Sequence, residues 1–107
     1  MPRYMTQFAY TAEAWAHLAK NPVDRSAAIG ALATRLGGKL ISLDYTMGEY
    51  DGVIVSEGPD DITAMAIVIA AIAPGHVRAT RTTRLYSPDE AIAAMKMAGT
   101  ASYSAPS

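Results

Sequence analysis

The sequence predicts an α+β protein, a four-stranded antiparallel sheet with its helices on one face. Three observations carry this reading. Strand-like and helix-like segments follow one another as β-α-β-β-α-β-α along 107 residues. The two middle strands stand five residues apart, which is hairpin distance. The helices open on side chains that can cap them. A chain of this length makes one core, burying roughly 65% of the surface that its unfolded form exposes.

The stretch "RYMTQFAY", Arg3 to Tyr10, is dense in aromatic residues and reads as the first strand. Thr11 caps a helix beginning "AEAWAHLAK". Asn21 then caps a renewed start, with Pro22 at the first helical position and Asp24 near the positive end of the dipole. Ile29, Leu32, Ala33 and Leu36 recur at helical spacing, so the whole is one helical region with a kink or break at "KNP". Gly37 and Gly38 end it. "KLISLDYTM", Lys39 to Met47, is the second strand and "VIVSE", Val53 to Glu57, the third, with Gly48 and Gly52 bracketing the turn. Asp60 caps the next helix, which Pro74-Gly75 ends. "HVRATRTTRLY" is a fourth strand rich in Thr. "SPDE", Ser87 to Glu90, is a capping box with Pro at the first position, opening a short helix through Met97.

Two β-α-β units around a central hairpin make a ferredoxin-like sandwich. Residues 1–98 form this single domain. The remainder, "GTASYSAPS" over 99–107, is small and polar and reads as a flexible tail unless a neighbouring subunit holds it.

Helices on one face leave the other face to be accounted for. Period-two alternation puts Tyr4, Thr6, Phe8 and Tyr10 on one side of the first strand and Met5, Gln7 and Ala9 on the other. Neither set suits plain solvent. The run "ITAMAIVIAAIA", Ile62 to Ala73, has no charge and one hydroxyl. A helix apolar all round must be covered all round, and a small sandwich offers little to cover it with. The chain is therefore expected to associate with copies of itself.

Composition excludes several classes. Nine basic residues against ten acidic ones give a net charge of −1, unsuited to a partner that neutralises nucleic-acid phosphates. The absence of cysteine removes disulfides and thiolate metal sites. "MPRYMTQFAY" shows no secretory leader, and the longest apolar run, Ala64 to Pro74, is short of the roughly 20 residues that span a bilayer. A soluble cytoplasmic protein without membrane or nucleic-acid partners is expected, with no cofactor and no metal.

Four stretches in order, the N-terminal "RY" strand, "GGKL", "YTMGEYDGVIVSEGPDD" and "TTRLYSPDEA", resemble the GYD domain family of small bacterial proteins. The resemblance runs from about residue 3 to residue 98. It implies the dimeric α/β-barrel group, in which two ferredoxin-like sheets pack face to face. That group includes cofactor-free monooxygenases, lactone isomerases, haem-degrading enzymes and metabolite-sensing modules, so the resemblance brings no particular reaction.

Within "GEYDG", Asp51-Gly52 reads first as a hairpin corner. Its second reading makes Tyr50 and Asp51 a polar pair at the mouth of a cavity. On the fourth strand, alternation sets Arg78, Thr80, Thr82, Arg84 and Tyr86 apart from Val77, Ala79, Arg81, Thr83 and Leu85. Arg81 stands out in a mostly apolar row. A buried guanidinium needs a carboxylate, with Asp44, Asp51 and Glu57 on offer, or an anionic ligand, unless a bulge moves it. His76 opens that strand near a cavity rim, and His17 sits on a solvated helix; neither has a second metal ligand at a recognisable spacing. No dinucleotide fingerprint, phosphate loop or nucleophile elbow is present.

The function expected is binding of a small anionic or aromatic metabolite in a cavity between the sheet and a partner. Tyr4 and Tyr45 would supply aromatic walls, Tyr50 the rim, and Arg81 or Arg84 the anion contact. The alternative is a cofactor-independent enzyme of monooxygenase or isomerase type, with His76 or Asp51 as its base. A structural assembly protein ranks third.

Overall fold

The computed structural model describes residues 1–106; the last residue of the expected tail, Ser107, lies outside them. Its elements are β1 (Arg3–Tyr10), α1 (Ala12–Lys20), α2 (Ser26–Arg35), β2 (Lys39–Tyr45), β3 (Gly52–Glu57), α3 (Asp61–Ile72), β4 (Val77–Leu85) and α4 (Pro88–Thr100). The four strands form one antiparallel sheet in the order β2-β3-β1-β4, the order of a ferredoxin-like sandwich. No helix among the described residues is long and apolar enough to cross a membrane.

The local signals act where the sequence places them. The Thr11 hydroxyl accepts the Ala14 N–H at 3.1 Å, and Asp60 accepts that of Thr63 at 2.8 Å. Ser87 and Glu90 close both halves of their capping box. Such caps satisfy donors that have no partner inside the helix, at about 1 kcal/mol each.

The second helical start is a correction. Asn21 does not cap α2 and Pro22 is not its first residue; the helix begins at Ser26. Asn21 instead ends α1, its N–H returning to the His17 carbonyl at 2.9 Å. As the residue before a proline it is pushed out of the helical region, to φ −131° and ψ 73°. Asp24 then supplies the acceptor at the new start, 2.8 Å from the Ser26 N–H. At the other end of the chain α4 runs past Met97 to Thr100, whose hydroxyl donates to the Met97 carbonyl at 2.7 Å.

Register fixes the two faces. Phe8 stands opposite Gly52 and Thr80, and Tyr4 opposite Ser56 and Arg84, so these residues share the helix face. A shift between Ala9 and Tyr10 pairs Tyr10 with Val77, skipping Arg78. That bulge overturns simple alternation at one point, because Val77 joins the helix face and packs against Phe8, Tyr10 and Ala14. A second shift, between Leu40 and Ser42, brings Leu43 opposite Ile54.

The core gathers at the same end. Phe8 meets Tyr10 edge-on at 5.2 Å and Tyr10 meets Trp15 at 5.1 Å, contacts worth about 0.5–1.5 kcal/mol each beyond burial. Among the described residues only seven apolar ones are buried, none of them a large side chain shut wholly away. Along α3, Ile62, Met65, Ile69 and Ile72 all face outward. The molecule is elongated, 59 × 34 × 21 Å.

Candidate functional site

Sheet order creates the candidate site. Helix α2 leads into β2 and α3 into β4, and those strands are the two edges of the sheet. The helices therefore sit over opposite edges, and the middle of the helix face stays open between them. A cavity of about 240 Å³ fills the gap. Its floor is Tyr4, Thr6, Phe8, Ile54, Thr80 and Thr82; Ile29 and Leu32 of α2 and Ile67, Val68 and Ala71 of α3 form the walls. The Thr6 and Thr82 hydroxyls meet on the floor at 3.1 Å.

Each end of the cavity is polar. At one, the Tyr4 hydroxyl donates to Asp61 Oδ1 at 2.5 Å. That bond raises the Tyr4 phenol above its ordinary value, and burial adds to it. Beyond Tyr4 lies a shallower concavity bordered by Asp61, Met65 and Arg84. The Arg84 guanidinium lies 5.9 Å from the Tyr4 ring and 4.4 Å from that of Tyr86, and pairs with Glu90 at 3.5 Å. At the other end stand Tyr10, Arg25 and His76. The His76 carbonyl accepts the Thr11 N–H at 2.9 Å, which fixes the start of β4 beside α1. Burial, then the Tyr45 hydroxyl 3.5 Å away, pushes the Tyr10 phenol well up.

The "GEYDG" corner stands outside the cavity. The Asp51 N–H donates to the Phe8 carbonyl at 2.8 Å, and its carbonyl accepts the Thr46 N–H at 2.8 Å. Asp51 Oδ2 accepts both the Tyr10 N–H at 2.8 Å and the Trp15 indole N–H at 3.1 Å. Thr46 donates its hydroxyl to the Tyr50 carbonyl at 2.6 Å. Tyr45 leans on Phe8, with ring centroids 6.2 Å apart.

The structure thus brings Tyr4 and His76 into one cavity and sets Arg84 at its flank. Tyr45, Tyr50 and Asp51 gather at the corner instead. Arg81 stands on the opposite face, level with Gln7, and is exposed to solvent. Sequence reasoning did not single out Tyr10, Arg25, Thr80 or Thr82 as cavity residues. Alternation had grouped Thr80 with Thr82, and Thr6 with Tyr10; what it could not supply was the gap between two helices above them. Among the described residues no group of three His, Asp or Glu is placed to hold a metal ion.

A family model described as the GYD domain matches residues 4–95. No curated protein matches the chain. Among solved structures the chain is similar to MtbAldR, with TM-score 0.59 and 12% identity over 80% of this chain and 53% of that one. It spans about half the length of that protein. It is also similar to TTHA0845 from Thermus thermophilus, at TM-score 0.53 and 17% identity over 81% and 95% of the two chains. A third likeness is to FFRP-DM1, at TM-score 0.51 and 14% identity over 80% and 100%. At such identities these likenesses show the fold alone.

Proposed function

The chain belongs to the GYD domain family, and from that premise we propose that it is a self-associating protein that binds a small metabolite in the cavity between its sheet and helices α2 and α3. The single observation behind this is the cavity itself. It has apolar walls, a hydroxyl-lined floor and polar groups converging at both ends, the usual make-up of a small-molecule site. Tyr4, Phe8 and Tyr10 suit an aromatic portion, and Arg25 at the mouth suits a carboxylate or other anion. Self-association draws support from α3, whose outward Ile62 and Met65 are 76% and 62% exposed. The open face of the sheet, with Met5, Val53 and Val55, offers a second copy the face-to-face packing of a dimeric α/β-barrel. On that face Arg81 would meet the partner sheet.

An enzyme reading draws on His76, which lines the same end of the cavity as Tyr10. A base there would act on a bound substrate without any cofactor. Loss of parental turnover in His76→Ala with affinity and folding intact would favour the enzyme; a ligand bound by parent and His76→Ala alike and turned over by neither would favour the binding module.

The first experiment is native mass spectrometry on protein freshly purified from cells, beside a Thr82→Phe variant that fills the cavity floor. The expected result is a multimer carrying one repeated extra mass per chain, lost in the variant. A multimer bare in both, with no metabolite from a cell extract binding to the parent, would sink the binding reading.

A further inference from the structure

Helix α4 leaves the body of the chain with an apolar stripe that no other element among the described residues packs upon. None of its 13 residues is buried. Ala91, Ile92, Met95, Ala98 and Gly99 fall on one side at helical spacing, while Asp89, Glu90 and Lys96 fall outside that stripe. Together with residues 101–106, which are exposed throughout, this helix makes the molecule extended. Its Cα radius of gyration is 17.4 Å, where a compact chain of about 100 residues has about 13 Å. It exposes 7477 Å², against roughly 5,700 Å² for a compact protein of 11.3 kDa. The excess, about 1,800 Å², is shared with the exposed residues 101–106, and it is of the size that each subunit of an obligate pair hides against its partner.

The direction of α4 is set at its root. Tyr86 and Ser87 alone separate β4 from α4. The capping box locks Ser87 to Glu90, with the Ser87 N–H 2.9 Å from Glu90 Oε1 and the Glu90 N–H 3.1 Å from Ser87 Oγ. Arg84 braces the same joint, pairing with Glu90, lying over Tyr86 and donating to the Leu85 carbonyl. A joint of two residues held from both sides does not turn the helix back over its own sheet.

A matching surface exists on every copy. Ile62, Met65, Ile69 and Ile72 lie along the outer side of α3 at spacings of three, four and three, the pattern of a helix-pairing seam, and they are 76%, 62%, 54% and 38% exposed. The two helices are close in length, 12 and 13 residues. Ala91, Ala98 and Gly99 allow a close approach, with Ile92 and Met95 as the bulky members.

We propose that the apolar stripe of α4 packs on the outer seam of α3 in a second copy, and the reverse, so that two chains exchange arms about a two-fold axis. Such a contact closes on itself because each chain offers both halves. It rests on the self-association argued above and adds a contact distinct from the packing of open sheet faces.

The absence of cysteine makes the test clean. A Met65→Cys chain and a Met95→Cys chain are co-expressed and treated with a short bismaleimide. Both sites are more than half exposed, so neither substitution opens a cavity. The expected result is a covalent dimer from the mixture and none from either variant alone. Covalent dimers of Met65→Cys alone would mean that α3 meets α3, those of Met95→Cys alone that α4 meets α4, and closure within a Met65→Cys/Met95→Cys chain that the arm folds back. Each overturns the proposal. A second pair, Ile69→Cys with Ile92→Cys, reads the same contact if one of the first variants fails to fold. Native mass spectrometry of the untreated parent separates the two levels. A multimer without mixed cross-links in either pair removes the arm exchange and leaves self-association standing, whereas a monomer removes both.

Discussion

The carboxylate of Asp51 receives the backbone N–H of Tyr10 at 2.8 Å, tying the β2–β3 corner to the last residue of β1. The same oxygen receives the Trp15 indole N–H at 3.1 Å, so three separate elements meet on one atom. Truncation would leave two donors without their acceptor. Asp51→Ala should cost about 1–3 kcal/mol of stability. Trp15 is the only tryptophan, so its fluorescence reports the same event, shifting to the red in the native variant as the indole loosens. A variant of parental stability with unchanged emission would refute the tie.

Gly38 and Gly52 should resist a methyl group for different reasons. A Cβ on Gly38 would stand 2.6 Å from the Glu57 carbonyl oxygen, a backbone atom held in β3. One on Gly52 would run into the Phe8 ring. Gly38→Ala and Gly52→Ala should each cost about 1–3 kcal/mol in denaturant melts. Gly48→Ala, with open space around it, is the control and should be nearly neutral.

Acid should weaken the root of α4 through Glu90. The Ser87 N–H bound to its carboxylate holds Glu90 below its ordinary value of 4.5, with Arg84 assisting. A lowered carboxylate stabilises the fold above the ordinary value and loses that contribution as pH falls through the folded-state value. Stability measured from pH 6 downward should therefore decline below about pH 4.5, with a smaller decline in Glu90→Gln. Equal slopes in both proteins would count against the link.

Alkali should act through Tyr4. Its phenol is raised above 10.0, first by the bond to Asp61 and then by burial. Stabilisation from a raised group is complete below the ordinary value and is lost as pH rises through the folded-state one. Phenolate absorbance should show a late component that Tyr4→Phe reduces, and that Tyr10→Phe reduces as well, because burial raises Tyr10 too. Neither variant changing that component would refute the assignment.

What could be read in the sequence was what acts locally. Thr11, Asp60 and Ser87 each bond a backbone N–H three residues on, so their roles lie within a few letters of text. The hairpin and the face shared by Tyr4 and Phe8 follow from a period of two. Asp51 was legible as a corner. Its grip on Trp15 was not, because that partner is 36 residues away. The shift that carries Val77 to the helix face was hidden for the same reason, since a bulge is a property of the pairing and not of either strand. The start of α2 was misplaced because Asn21 suits a cap by type, while the proline after it holds it out of the helical region and Asp24 Oδ1 takes the Ser26 N–H instead. The cavity had no signature of its own: Thr6 and Thr82 acquire a meaning only once the helices stand over the sheet's two edges.

The place of β4 at the edge of the sheet has a further consequence. Its outer side presents unpaired backbone groups to any stray strand, the usual beginning of fibrous aggregation. Arg78, Arg81 and Arg84 recur every third residue along it. An incoming strand would have to bring its backbone beside three positive charges. The sheet is thereby discouraged from growing sideways, and newly made chains can accumulate without joining edge to edge.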